Sequence, residues 1–103
     1  MRRKRTSFRS YKTREIESAL VKKGFVEDRK RGHKHYIYYY NGKKMEISTI
    51  VSHGVKEYGR DLIMEMKRQL FLTRPQFDNL VQCPLTKEEL REIYKKKGRL
   101  PTT

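Results

Sequence analysis

The sequence has few of the features that mark a membrane, secreted or metal-binding protein. It has one cysteine, Cys83, in 103 residues, which excludes an internal disulfide and a cysteine-rich zinc site. Its apolar runs are much shorter than the roughly 20 residues that a membrane-spanning helix needs. The charged N-terminus also lacks the apolar stretch of a secretory signal. We therefore expect a cytoplasmic protein with no membrane partner and no metal or other cofactor.

Acidic residues are scarce relative to basic ones. The chain has 12 Asp and Glu against 26 Lys and Arg, so its formal net charge is +14. Only 35% of the residues are hydrophobic, which is enough for one modest core in a single small domain. An excess of positive charge on this scale predicts a polyanionic partner, which favours RNA or DNA.

Half of this excess lies at the N-terminus, where residues 1–14 contain no acid. The basic residues there are Arg2, Arg3, Lys4, Arg5, Arg9, Lys12 and Arg14. A block of like charges repels itself and stays extended until a counter-charge binds. Phe8 and Tyr11 lie among these cations, and aromatic rings can stack on bases while guanidinium groups bind phosphates. We predict that residues 1–12 form an RNA-binding arm; a solubilising tail and a membrane-surface arm are the alternatives.

The next segment predicts one helix followed by three strands. Thr13 is a suitable N-cap for a helix that ends at Gly24. Strands are predicted over residues 25–30, 33–40 and 43–51, because the second is rich in aromatic residues and turn sequences separate all three. The turn at Asn41-Gly42 is a strong hairpin signal.

This two-residue turn predicts the pairing of the second and third strands. It pairs Tyr40 with Lys43, which puts Tyr36, Tyr38 and Tyr40 on the core face. The opposite, open face then carries four candidate site residues, which are His33, His35, Tyr39 and Lys44. His33 is predicted to lie opposite Ile50, His35 opposite Ser48, and Tyr39 opposite Lys44.

Helical patterns return after the strands. One helix is predicted over residues 59–72, and Thr73 with Gln76 and Thr86 with Glu89 form two capping boxes for further helices. We predict one domain over residues 13–99, with a helical extension over 74–99 and a tail over 100–103. The fold class is α+β, with the helices on one face of the sheet.

Three short motifs lie in a characteristic order. Lys22-Lys23-Gly24-Phe25 precedes Arg31-Gly32-His33-Lys34-His35, and after the hairpin comes the segment 52–59, Ser-His-Gly-Val-Lys-Glu-Tyr-Gly. Over about residues 13–75 this order resembles the HicA family, the toxin half of a bacterial and archaeal toxin–antitoxin pair. The last capped helix is similar to an extension in longer archaeal relatives.

The resemblance implies an α-β-β-β-α fold like that of a double-stranded-RNA-binding domain. It also implies metal-independent cleavage of messenger RNA by a histidine on a strand, and inhibition by a partner antitoxin. In the family that histidine lies two residues after a glycine, whereas this sequence has Lys34 there, between His33 and His35.

Two hypotheses follow from this departure. In the first, His35 with His33 performs the acid–base catalysis of an endoribonuclease, since a histidine can serve as either base or acid near neutral pH. In the second, the chain binds RNA without cutting it, as a component associated with the ribosome and its rRNA. A DNA-binding regulator is a weaker third reading.

Further candidates for RNA contact lie along the strands and the loop that follows them. They are Arg31, Lys34, Tyr39, Lys44, His53 and Lys56. His53 either helps to hold a phosphate at the start of the next helix or packs locally. Cys83 and the three histidines lack the spacing of metal ligands.

Overall fold

The computed structural model describes residues 10–30, 33–52, 54–82 and 84–101. The predicted contacts Arg2, Arg3, Lys4, Arg5, Arg9, Arg31 and His53 lie outside these ranges. The elements, in chain order, are β1 (Tyr11–Lys12), α1 (Thr13–Lys22), β2 (Phe25–Lys30), β3 (His33–Tyr40), β4 (Lys43–Val51), β5 (Glu57–Tyr58), α2 (Arg60–Gln69), α3 (Arg74–Gln82) and α4 (Lys87–Lys96). The predicted α-β-β-β-α order with additional C-terminal helices is confirmed.

Helix α1 begins one residue earlier than predicted. Lys12, not Thr13, is the N-cap residue, and its backbone N–H donates to Glu15 Oε1 over 2.9 Å. Thr13 is already helical, and its hydroxyl donates to the Val55 carbonyl over 2.6 Å. Thr13 is therefore not the cap, because a long-range partner takes its hydroxyl. Gly24 follows the helix with a φ of 107°, a backbone conformation that favours glycine.

The three long strands form an antiparallel sheet in the order β2-β3-β4. Asn41 and Gly42 both have positive φ, as a type I′ hairpin turn requires. The predicted pairs Tyr40 with Lys43 and Tyr39 with Lys44 are confirmed.

Beyond those pairs the predicted register is wrong by two residues. Residues 45–47 of β4 lie opposite the single residue Tyr38, so His35 pairs with Ile50 and not with Ser48. Ile50 is consequently not the partner of His33. The cause is an irregularity in β4, and extra residues of this kind leave the rest of the ladder displaced. Because the shift is two residues, every side chain keeps its predicted face.

The core lies between the sheet and the helices, and the C-terminal helices complete it. Tyr36 and Tyr38 are buried, and the Tyr38 ring lies 5.0 Å from that of Tyr94 on α4. Tyr94 also donates to the Leu70 carbonyl over 2.9 Å. Both predicted capping boxes form at the starts of α3 and α4. The helical extension is thus part of the same core.

The predicted boundary of the basic arm at residue 12 is too late. Strand β1 pairs with β5, and Tyr11 is buried. The Tyr11 hydroxyl donates to Asp78 Oδ1 over 2.7 Å and accepts from Gln82 Nε2 over 2.9 Å. A buried tyrosine with both its ring packed and its hydroxyl bonded to the protein is not free to stack on a base. Residues 10–12 therefore belong to the folded domain.

Candidate functional site

The two faces of the sheet divide the predicted site residues into two groups. His33 and Lys44 are exposed on the open face, and His35 and Tyr39 are half-buried there. On this face His35 lies between Asp28 of β2 and Ile50 of β4. Lys34 has the opposite orientation, because successive side chains of a strand alternate between faces. The histidines and Lys34 are therefore on opposite sides of β3.

On the helix side of the sheet, Lys34 lines a cleft of about 710 Å³. We call it the basic cleft. Its charged lining residues are Lys12, Arg14, Arg29, Lys34 and Lys56, with the carboxylates Glu17 and Glu57. Four of these cations, all except Arg29, are predicted RNA contacts.

The basic cleft forms where the start of α1 meets the loop before β5. The backbone N–H of Thr13 donates to the Lys56 carbonyl over 2.9 Å, and its hydroxyl bonds the Val55 carbonyl. The short β1–β5 ladder pairs Lys12 with Glu57 beside these bonds. This arrangement brings Lys56 to the same rim as Lys12 and Arg14, although it lies more than 40 positions away from them along the chain.

Three charged residues of the cleft, Arg29, Glu17 and Glu57, were not among the sequence candidates. Arg29 is the cross-strand partner of Lys34 on the same face, so the predicted pairing of the first and second long strands was the signal that could have found it. Glu17 lies one turn of α1 after Thr13, next to the buried Ile16. No local pattern distinguishes Glu17 from the other acids of the chain, since only the packing of α1 on the sheet brings it to Lys34.

Glu17 is the most enclosed carboxylate of the cleft. Its Oε2 lies 3.3 Å from Lys34 Nζ, and the side chains of Glu17 and Lys34 are 18% and 32% exposed. The hydroxyls of Tyr36 on β3 and Tyr58 on β5 also lie close enough to interact with Glu17. Tyr36 donates as well to Glu27 Oε1 over 3.3 Å.

Burial raises the pKa of the Tyr36 hydroxyl, and the carboxylates of Glu17 and Glu27 raise it further. Burial is likewise the main cause of the raised pKa of Tyr58, with a smaller contribution from Glu17. Both hydroxyls are consequently protonated at neutral pH. They lie near Glu17 as uncharged hydrogen-bonding groups.

The arrangement combines an anion-binding surface with a group that can accept a proton. Cations that converge on a partly enclosed site attract a phosphodiester more strongly than isolated surface charges do. A carboxylate among them can act as a base toward a bound hydroxyl. Among the described residues, no histidine lines this cleft, and no three His, Cys, Asp or Glu side chains are grouped as metal ligands.

Most of the basic cleft lies within a segment that a known protein family shares. A family model described as HicA toxin of bacterial toxin-antitoxin systems matches residues 13–72, more than half of the chain. The chain belongs to the HicA toxin family. The match runs from α1 to the end of the α2 region, so the lining residues from Arg14 to Glu57 lie within it. Helices α3 and α4 follow it.

The other comparisons add no relative. Comparison with the curated proteins and with the solved structures gives no significant match. Within the described ranges, no helix combines the length and the apolar character needed to cross a bilayer.

Proposed function

We propose that this HicA-family protein is an endoribonuclease toxin that binds messenger RNA along the basic cleft and is restrained by an antitoxin protein. The observation that supports the proposal most directly is the convergence of five cations on one cleft, four of them in the family segment. Its volume of about 710 Å³ falls within the range of about 300–1,000 Å³ typical of small-ligand pockets. A short stretch of single-stranded RNA suits a cleft of this size.

Electrostatics supports RNA as the ligand. Each phosphate that a Lys or Arg neutralises releases condensed counterions, which drives binding to RNA at low salt. The cleft supplies Lys12, Arg14 and Lys56 at its rim and Lys34 deeper inside, where its side chain is half-buried. The basic residues of positions 1–9 precede this rim directly in the sequence and extend the positive charge.

Cleavage without a metal needs a base for the ribose 2′-hydroxyl, a proton source for the leaving oxygen, and a cation for the charge on the phosphate. His35 with His33 stays one candidate for the acid–base roles. The two residues are neighbours on the open face and lie on the opposite side of β3 from the basic cleft.

A non-catalytic RNA-binding protein is the second candidate function. It is favoured by Lys34, which stands where the family pattern has its histidine. Association with the ribosome remains a prediction of this alternative. Sedimentation of a cell extract tests it, because protein that stays at the top of the gradient at low salt is not bound to ribosomes.

Incubation of the purified protein with a mixed-sequence RNA in EDTA tests the proposal. We expect RNA fragments from the wild type, and weaker RNA binding by Lys34→Met measured by fluorescence anisotropy. The matched control is Lys43→Met, which removes one charge from the hairpin turn outside the cleft and should bind like the wild type. RNA that is bound but stays intact contradicts the nuclease and supports the non-catalytic alternative.

A further inference from the structure

Glu17 and Lys34 form a half-buried ion pair between α1 and β3 at the inner wall of the basic cleft. Their charged atoms lie 3.3 Å apart, and less than a fifth of the Glu17 side chain is exposed. Withdrawing two charges from water costs desolvation energy that their mutual attraction only partly offsets. The need for stability alone is therefore a weak explanation for this pair.

The surroundings of the pair match the requirements of RNA cleavage. Within one nucleotide, the 2′-hydroxyl and the oxygens of the adjacent phosphate are close neighbours. A base and a cation that act on them must therefore be close neighbours too, as Glu17 and Lys34 are. Both face the cleft, where Lys12 and Arg14 can hold the flanking phosphates.

We propose that Glu17 and Lys34 are the catalytic residues of RNA cleavage in this protein, a step that rests on the proposed nuclease function. Glu17 takes the proton from the ribose 2′-hydroxyl, and the 2′ oxygen forms a bond to the adjacent phosphorus. The bond from phosphorus to the 5′ oxygen breaks, and this oxygen takes a proton from water. The products are a 2′,3′-cyclic phosphate and a 5′-hydroxyl, and Glu17 returns its proton to solvent.

Lys34 has the electrostatic role in this scheme. Its ammonium group binds the non-bridging oxygens, whose negative charge grows in the transition state, and a preorganised cation in a partly enclosed site stabilises that charge effectively. The Tyr36 hydroxyl lies close to the Glu17 carboxylate, and it donates its proton to Glu27 Oε1 over 3.3 Å.

Substitution of Glu17 by glutamine separates catalysis from binding. Glu17→Gln keeps the size of the side chain and one acceptor oxygen but removes the base, so we expect the cleavage rate to fall by about 100-fold or more. Affinity for an uncleavable RNA with 2′-O-methyl groups should not fall, because the substitution removes a negative charge from the cleft and adds none. Lys34→Met should lower both the rate and the affinity.

Glu27→Gln is the matched control. Glu27 bonds the same Tyr36 hydroxyl from β2, but it does not line the cleft. This variant should cleave RNA like the wild type, which distinguishes loss of the base from a disturbed hydrogen bond to Tyr36. If Glu17→Gln folds poorly by circular dichroism, Glu17→Ala with added formate replaces it, and formate should restore part of the cleavage.

The double variant His33→Ala/His35→Ala gives a second readout, because both histidines lie on the open face and Glu17 and Lys34 line the cleft. Under this scheme the double variant keeps a cleavage activity that depends on Glu17, whereas acid–base catalysis by the two histidines predicts that cleavage is lost.

The outcomes separate the two proposals. A wild type that binds RNA without cleaving it overturns both the nuclease and the catalytic pair. A wild type that cleaves, together with a folded Glu17→Gln variant that cleaves equally well, overturns the pair alone. If the double histidine variant loses cleavage and Glu17→Gln keeps full activity, catalysis is assigned to the histidines on the open face.

Discussion

At the scale of single residues, the side of β3 on which a side chain lies determines its role. Lys34 faces the helices and contacts Glu17, whereas His33 and His35 face away from them. The alternation of a strand makes this separation unavoidable, because neighbouring residues cannot share a face. Lys34 is therefore the β3 cation of the cleft, and the flanking histidines cannot enter the cleft without a change of register.

Tyr36 makes the stability of the protein depend on pH in the alkaline range. Its pKa is raised in the folded state, so its stabilising contribution is complete below the ordinary tyrosine pKa of about 10 and declines as the pH rises above it. We therefore expect the free energy of unfolding, measured by urea titration, to fall between about pH 9 and 11 in the wild type. It should fall less over the same pH range in Tyr36→Phe. Equal pH dependence in both proteins would contradict this assignment.

The charged residues of the cleft differ in how far the sequence predicts them. Lys12, Arg14, Lys34 and Lys56 are recognisable from local charge and from their position near the motifs. Glu17 is not, because carboxylates are common on exposed helix faces, and its contact with Lys34 joins two different elements that are distant in the chain.

At the scale of elements, turns and caps follow from local sequence, but the pairing of strands does not. The Asn41-Gly42 turn and both capping boxes form as predicted, because each depends on residues only a few positions apart. The shift in β4 escaped prediction, since extra residues in a strand are stabilised by packing across the sheet.

The two C-terminal helices contribute buried residues to the core, although they lie beyond the family match. Phe77, Leu80, Leu90 and Tyr94 are completely buried, and truncating a single buried side chain of this size costs about 2–5 kcal/mol. A chain that ends at Leu72 loses all four, against a total stability of about 5–15 kcal/mol for a typical domain.

We therefore expect the chain truncated after Leu72 to show no cooperative thermal unfolding by circular dichroism. A control chain that ends at residue 101 keeps every core residue and should unfold like the full protein. Cooperative unfolding of the shorter chain would mean that α1, α2 and the sheet form a core without α3 and α4.

At the scale of the whole molecule, positive charge extends from the N-terminal sequence to the cleft. Residues 1–9 contain five basic and no acidic side chains, and β1 continues directly into the rim at Lys12. The folded domain begins by residue 10, so a test of the arm should remove residues 1–9 and leave the buried Tyr11 in place.

We expect RNA affinity to fall steeply as salt rises from about 50 to 200 mM, with a slope near 0.7 per phosphate neutralised on a single strand. Deletion of residues 1–9 should weaken binding and reduce this slope, because fewer counterions are released. Fluorescence anisotropy over a salt series measures both. An unchanged slope in the deletion variant would show that the arm does not contact RNA.

The amino-acid sequence by itself determined the family, the order of the four helices and the three long strands, the hairpin turn, the two C-terminal capping boxes and the positive charge. All of these depend on residue type and on spacing over a few positions. The tertiary structure decided where Tyr11 lies, how β4 pairs beyond Tyr39, and that Glu17 meets Lys34 in a cleft of cations. These features depend on contacts between segments that are distant in the chain. Local propensities do not distinguish between alternative strand pairings and side-chain contacts, and the packing of the whole core selects one of them.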